Sequence, residues 1–98
     1  MFVRIWRYAV DESDRAGFET AYRPDGDWAR LFGRAEGYLG TETLCGKDGA
    51  YLTIDRWRDE SDWLRFKGEH GEDYRLLDAD CESLTAEETE IGDFAPLT

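Results

Sequence analysis

One face of a single helical stretch constrains this chain more than any other feature. Trp63, Phe66, His70, Tyr74, Leu77, Cys81 and Leu84 follow one another at intervals of 3, 4, 4, 3, 4 and 3 residues, the rhythm of side chains stacked along one side of an α-helix. That side is apolar and aromatic. The positions between, among them Arg65, Lys67, Glu69, Glu72, Asp73 and Arg75, are charged and belong to solvent. Asp59, Glu60 and Asp62 crowd the start, where a carboxylate caps free backbone N–H groups and meets the positive end of the helix dipole. The helix is therefore predicted to begin near Asp59. Gly68 and Gly71 flank the only histidine, His70, and each costs about 1 kcal/mol of helix propensity relative to alanine. A bend is expected there, with the loosened turn forming a pocket wall.

A striped helix must bury its apolar side, and the rest of the chain supplies a sheet for it. Tyr38 to Cys45 and Ala50 to Arg58 read as two strands joined by Gly46-Lys47-Asp48-Gly49, whose Asp-Gly pair provides the positive φ angles of a tight hairpin. Phe2 to Val10 reads as a strand with Val3, Ile5, Arg7 and Ala9 on one side and Phe2, Arg4, Trp6 and Tyr8 on the other. Asp11-Glu12-Ser13-Asp14 then offers caps for a helix carrying Phe18, Ala21 and Tyr22 together, which Pro24 and Asp25-Gly26 stop. Asp27 is expected to cap a short second piece with Trp28, Leu31 and Phe32 on one face, ended by Gly33 and Gly37. Thr85 to Phe94 is a last strand, rich in glutamate.

This order gives an α+β chain with the ferredoxin-like βαββαβ arrangement: one domain over residues 1–98, a four-stranded antiparallel sheet with helices on one face. In the third strand Leu52, Ile54 and Arg56 alternate with Tyr51, Thr53, Asp55 and Trp57, so bulk again falls on both sides. The uncovered face would then leave Trp or Tyr rings and aliphatic groups in water, more than a monomer tolerates, and a homodimer packed sheet to sheet is expected. Arg4, Arg7 and Arg56, lying within strands, must pair or reach solvent. Pairing with Asp55 or Glu42 across a dimer edge is one reading, and anchoring a substrate oxygen the other.

Charge excludes some partners. With 12 basic against 23 acidic residues the chain carries −11, the wrong sign for nucleic acid phosphates or anionic membrane surfaces. No run approaches the roughly 20 apolar residues of a membrane span, and Met1 to Val10 lacks the core of a signal peptide, so a soluble, cytoplasmic protein is expected. Cys45 and Cys81 have no C-x-x-C spacing and read as small buried side chains rather than a disulfide or metal site.

Certain phrases resemble a known family. Tyr51-Leu52-Thr53-Ile54-Asp55-Arg56-Trp57, then Ser61-Asp62-Trp63-Leu64-Arg65-Phe66 and His70, together with Gly37-Tyr38-Leu39-Gly40-Thr41-Glu42, are similar to the antibiotic biosynthesis monooxygenase group of dimeric α/β-barrel proteins. The resemblance runs from about Val3 to Phe94 and consists of strands and aromatics. It implies a homodimer with a pocket in each subunit, between the inner sheet face and the helices. Members include cofactor-independent monooxygenases acting on phenols or quinols, and related proteins that bind and degrade haem. The haem-degrading members use an asparagine on the first strand, then a tryptophan and a histidine on the helix after the third strand. Trp63 and His70 resemble the last two, at a shorter separation, while Trp6 stands near the asparagine's place.

The candidate chemistry follows. No flavin, nucleotide or metal motif is present, so an electron-rich phenol or quinol would itself reduce oxygen once deprotonated, in a water-poor pocket. His70 is the candidate for proton removal and Tyr74 for hydrogen bonding. Tyr22, Trp28, Trp63 and Phe66 are the candidate substrate-binding wall. His70 also reads as a packed, hydrogen-bonded core residue, and core packing accounts for most of the aromatics, with dimer contacts as a further reading. The alternative class is a non-catalytic binding protein for a hydrophobic metabolite or for haem ligated by His70. A lone histidine makes no zinc site.

Overall fold

The computed structural model describes residues 1–97. Its four strands are β1 (Phe2–Ala9), β2 (Tyr38–Cys45), β3 (Tyr51–Trp57) and β4 (Glu87–Phe94), arranged as β2-β3-β1-β4 with every neighbouring pair antiparallel. Between β1 and β2 lie α1 (Arg15–Tyr22) and α2 (Asp27–Phe32), and between β3 and β4 lie α3 (Glu60–Glu69) and α4 (Gly71–Cys81). The ferredoxin-like order read from the sequence is the observed one.

The long helix divides where the glycines stand. His70, with φ −117° and ψ 22°, ends α3 and precedes α4, so the bend is a full break in a continuous apolar side. Asp59 caps α3 through the Asp62 amide at 3.0 Å. Asp62, 1% exposed, receives both guanidinium arms of Arg58 at 2.8 Å and Arg65 at 3.0 Å, so its buried charge is fully compensated. Two other expected caps are absent. Neither Asp11 nor Asp14 makes a side-chain cap bond, a 3-10 turn over Glu12–Asp14 leading into α1 instead. Gly26, not Asp27, holds the N-cap place of α2, and the Asp27 carboxylate pairs with Arg30. In the hairpin only Gly49 takes a positive φ, +85°; its amide closes onto the Gly46 carbonyl at 3.0 Å while Asp48 accepts from the Ala50 amide.

The core is a continuous aromatic cluster between sheet and helices. Trp57, 0% exposed, meets Phe32, Tyr38, Trp63 and Phe66 at ring-centroid distances of 5.3–5.6 Å, and Phe18 stacks on Tyr22 at 4.2 Å. Such offset and edge contacts add roughly 0.5–1.5 kcal/mol per pair to the burial of the rings. The rings of β1 and β3 all belong to this side. Contrary to the expectation from alternation, no Trp or Tyr ring of β1 or β3 is on the open face: it carries Ile5, Leu44, Leu52 and Ile54 with Arg7 and Arg56, and Phe94 of β4 opposite Val3. Those arginines pair within the chain, Arg7 with Asp48 at 3.1 Å and Arg56 with Glu42 at 3.4 Å. Cys81 is buried, but Cys45 is exposed, 3.3 Å from the Arg15 guanidinium. No helix among the described residues is long and apolar enough to cross a membrane.

Candidate active site

Strand alternation aims the even-numbered residues of β1 and the odd-numbered residues of β3 at the helices, and where the helices stand off the sheet a cavity of about 140 Å³ remains. Its floor is the sheet, with Arg4, Trp6, Tyr8, Thr41, Thr53 and Asp55. Its roof comes from the helices, with Tyr22, Trp28, Phe32, Trp63 and Tyr74. Asp78 of α4 and Glu88 of β4 complete one side. Floor and roof differ in chemistry: the roof is almost wholly aromatic, whereas the floor brings a carboxyl, a guanidinium and hydroxyls together.

Asp55 is the reactive feature of the floor. Thr41 Oγ1 donates to its Oδ1 at 2.6 Å, and among the described residues no cation lies within salt-bridge distance. Burial pushes its carboxyl up to about 6, against the opposing pull of the Thr41 hydrogen bond and of Arg4. Arg4, the cross-strand partner of Asp55, instead donates to Asp93 at 3.1 Å and Glu90 at 3.4 Å, with its guanidinium 4.5 Å from the centre of the Trp63 ring. Burial acts on the cavity tyrosines in the same direction as on Asp55. Burial raises Tyr8, Tyr22 and Tyr74, so each stays a protonated donor. Thr53 Oγ1 donates to the Tyr8 hydroxyl at 3.3 Å.

Of the residues singled out in the sequence, Tyr22, Trp28, Trp63 and Tyr74 converge on this cavity. Phe66 does not line it: 1% exposed, it lies behind Trp63, the two rings stacked at 5.7 Å. His70 does not line it either. Its ring stacks on Phe66 at 5.4 Å, half-buried and without a side-chain hydrogen bond among the described residues. Haem ligated by His70 does not fit this site, because the sole imidazole is outside the cavity lining. No group of three or more His, Cys, Asp or Glu among the described residues is placed to hold a metal ion. Asp55 and Thr41 were not singled out for chemistry by their sequence context. The available signal was a carboxylate in mid-strand, alternating with Tyr51, Thr53 and Trp57 on the side that meets the helices.

No protein-family model matches the chain, and no curated protein does. Solved structures do. SnoaB, a cofactor-independent oxygenase from Streptomyces nogalater, is 21% identical with a TM-score of 0.76, the match covering 99% of this chain and 93% of that one. The ActVA-Orf6 monooxygenase of Streptomyces coelicolor, in complex with Nanaomycin D, is 19% identical with a TM-score of 0.73, covering 99% and 88%. A Nitrosomonas europaea protein assigned to the antibiotic biosynthesis monooxygenases is 18% identical with a TM-score of 0.73, covering 100% of both. At these identities it is the fold that is shared: the chain has the ferredoxin-like fold of the antibiotic biosynthesis monooxygenase-type proteins.

Proposed function

We propose that the protein is a cofactor-independent monooxygenase that oxidises a small phenol- or quinol-type aromatic with O2. The observation that supports this most is the pairing of a planar aromatic roof, Trp28, Trp63 and Tyr74, with a floor carboxyl whose proton affinity is set near neutrality, Asp55. A flat ring lies under the roof and presents its hydroxyl or acidic C–H to Asp55, while Tyr22 and Tyr74, held protonated, donate to the oxygens of the resulting anion. Deprotonation makes the ring electron-rich enough to reduce O2 directly. For an anthrone the balance is a CH2 group plus O2 giving a carbonyl and water, one oxygen atom entering the product. Proton acceptance is assigned to Asp55 rather than to His70, which lies outside the lining.

The similarity in fold to SnoaB and ActVA-Orf6, described as an oxygenase and a monooxygenase, supports this reading. The exposed aliphatic side of the sheet, Leu44 at 42% with Ile5, Leu52 and Ile54 beside it, supports assembly as a homodimer through that face. Oxygen uptake with 1,8-dihydroxyanthrone tests the activity. Asp55→Asn is expected to lower the rate about 100-fold or more, the usual weight of a positioned acid–base group. Full uptake by that variant, or none by the wild type, would overturn the proposal.

A further inference from the structure

Asp55 belongs to a polar row that crosses the whole sheet. Thr41 of β2 and Arg4 of β1 are its register partners on either side, and Asp93 of β4 is the partner of Arg4. The cavity face therefore reads Thr41, Asp55, Arg4, Asp93 from edge to edge. In a regular strand, residues three apart point to opposite faces. Two such pairs nonetheless reach this row together: Tyr38 with Thr41 on β2, and Glu90 with Asp93 on β4. Each pair spans a register shift, between Tyr38 and Gly40 in one strand and opposite Ile5 and Trp6 in the other. Within each shift stands a glycine at strongly positive φ, Gly40 at +140° and Gly92 at +147°. A bulge inserts one residue and returns the chain to the same face, and only glycine adopts that backbone without strain.

The two bulges do different work. On β4, Glu90 and Asp93 engage Arg4, so the guanidinium is held on the side away from Asp55. On β2, the Tyr38 hydroxyl lies 2.5 Å from Thr41 Oγ1, which donates to Asp55 Oδ1. A hydroxyl has one proton to give, and Thr41 gives its proton to the carboxylate, so Tyr38 is the donor to Thr41. The donors thus run from a half-buried phenol on an edge strand to a carboxylate on the cavity floor.

We propose that Thr41 and Tyr38 are positioning residues for Asp55, stabilising its ionised form while it accepts a ligand proton and then conducting that proton to the edge of the sheet. This rests on the reading of Asp55 as the proton acceptor. Once Asp55 is protonated the two hydroxyls turn, so that Asp55 donates to Thr41, Thr41 to Tyr38 and Tyr38 to water, and the transfer is a set of hops in which one O–H bond breaks as the next forms. The ligand proton reaches Asp55, one passes from Asp55 to Thr41 and one from Thr41 to Tyr38, and Tyr38 releases one to water; no electrons move. The other charged or titratable groups lining the cavity with Asp55 are Arg4 and Tyr8 of β1, Tyr22 of α1, Tyr74 and Asp78 of α4, and Glu88 of β4. From α3, the Lys67 ammonium lies over the Tyr74 ring at 3.8 Å; α2 contributes only the uncharged Trp28 and Phe32 to the lining. Substitutions at Thr41 or Tyr38 leave all of these in place.

The test is a ¹³C-carboxyl NMR titration of the full chain, with the Asp55 signal identified by its loss in Asp55→Asn. Thr41→Val removes the hydroxyl at nearly constant volume and is expected to tighten proton binding at Asp55 about ten-fold, raising its midpoint by about one unit. Tyr38→Phe is expected to tighten it about two- to three-fold, and Thr41→Ser, which keeps the hydroxyl, to return it to within about two-fold of wild type. Thr41→Ala gives the same reading should valine prevent folding. An unchanged or lowered midpoint in a folded Thr41→Val or Thr41→Ala protein would overturn the positioning role. With 1,8-dihydroxyanthrone, Tyr38→Phe is expected to lower kcat about ten-fold at unchanged KM; a wild-type kcat would overturn conduction. The midpoints are read without ligand, so their failure is separable from a wild type that takes up no oxygen.

Discussion

The floor and the roof of the cavity are built by opposite rules. The roof is made of helix positions at three- and four-residue spacing, and every one of Trp28, Phe32, Trp63 and Tyr74 also packs on another ring. Its residues serve stability and ligand contact at once. The floor is made of strand positions whose neighbours are remote in sequence, and it accepts the cost of burying a carboxyl beside a guanidinium that pairs elsewhere. Shape comes from one side and reactivity from the other. Changes to the roof should therefore appear in folding and binding, and changes to the floor in proton affinity and rate.

The largest effect is expected at the roof. Trp63, 7% exposed, contacts Phe32, Trp57, Phe66 and Tyr74 and lies under the Arg4 guanidinium, so Trp63→Ala should cost about 3–5 kcal/mol in urea unfolding, as large aromatic deletions do. A loss below about 1 kcal/mol would mean the roof is not load-sharing. On the floor the sign reverses. The folded-state Asp55 value, about 6, is raised above that of an unfolded aspartate. Its contribution is therefore fully present below the unfolded value and lost as pH rises through about 6. Asp55→Asn should accordingly gain stability relative to wild type on going from pH 4 to pH 8, by roughly 2 kcal/mol. A constant difference across that range would contradict the burial of the charge.

A smaller change should follow from releasing Arg4. Neutralising both of its partners in Glu90→Gln/Asp93→Asn frees the guanidinium to turn to Asp55, and the Asp55 midpoint in the NMR titration should fall by about half a unit to one unit. A rise would place Arg4 elsewhere. The smallest effect is predicted for His70→Ala, which should leave oxygen uptake within about two-fold of wild type, because its ring rests on Phe66 rather than on the cavity.

This division also explains what the sequence disclosed. Local periodicity encodes the roof, so Trp28, Trp63, Tyr22 and Tyr74 were legible as one aromatic wall, and the hairpin and strand order were legible from Asp48-Gly49 and the alternating runs. Phe66 and His70 share that periodicity, yet the depth of a stripe residue depends on how the helix lies against its neighbours, and neither reaches the cavity lining. The floor depends on register. Asp55 acquires its meaning only from Thr41 and Arg4 across the ladder, and simple alternation puts Tyr38 and Thr41 on opposite faces until the bulge at Gly40 is counted. Glycine-interrupted strands were visible; the shift they produce was not.

The role of Asp55 is tested most directly by the pH dependence of kcat/KM for oxygen uptake with 1,8-dihydroxyanthrone in wild type, Asp55→Asn and His70→Ala. A limb rising through about pH 6, set by the Asp55 carboxyl, is expected in wild type and His70→Ala and is expected to be absent in Asp55→Asn. A limb that disappears in His70→Ala and persists in Asp55→Asn would contradict that role.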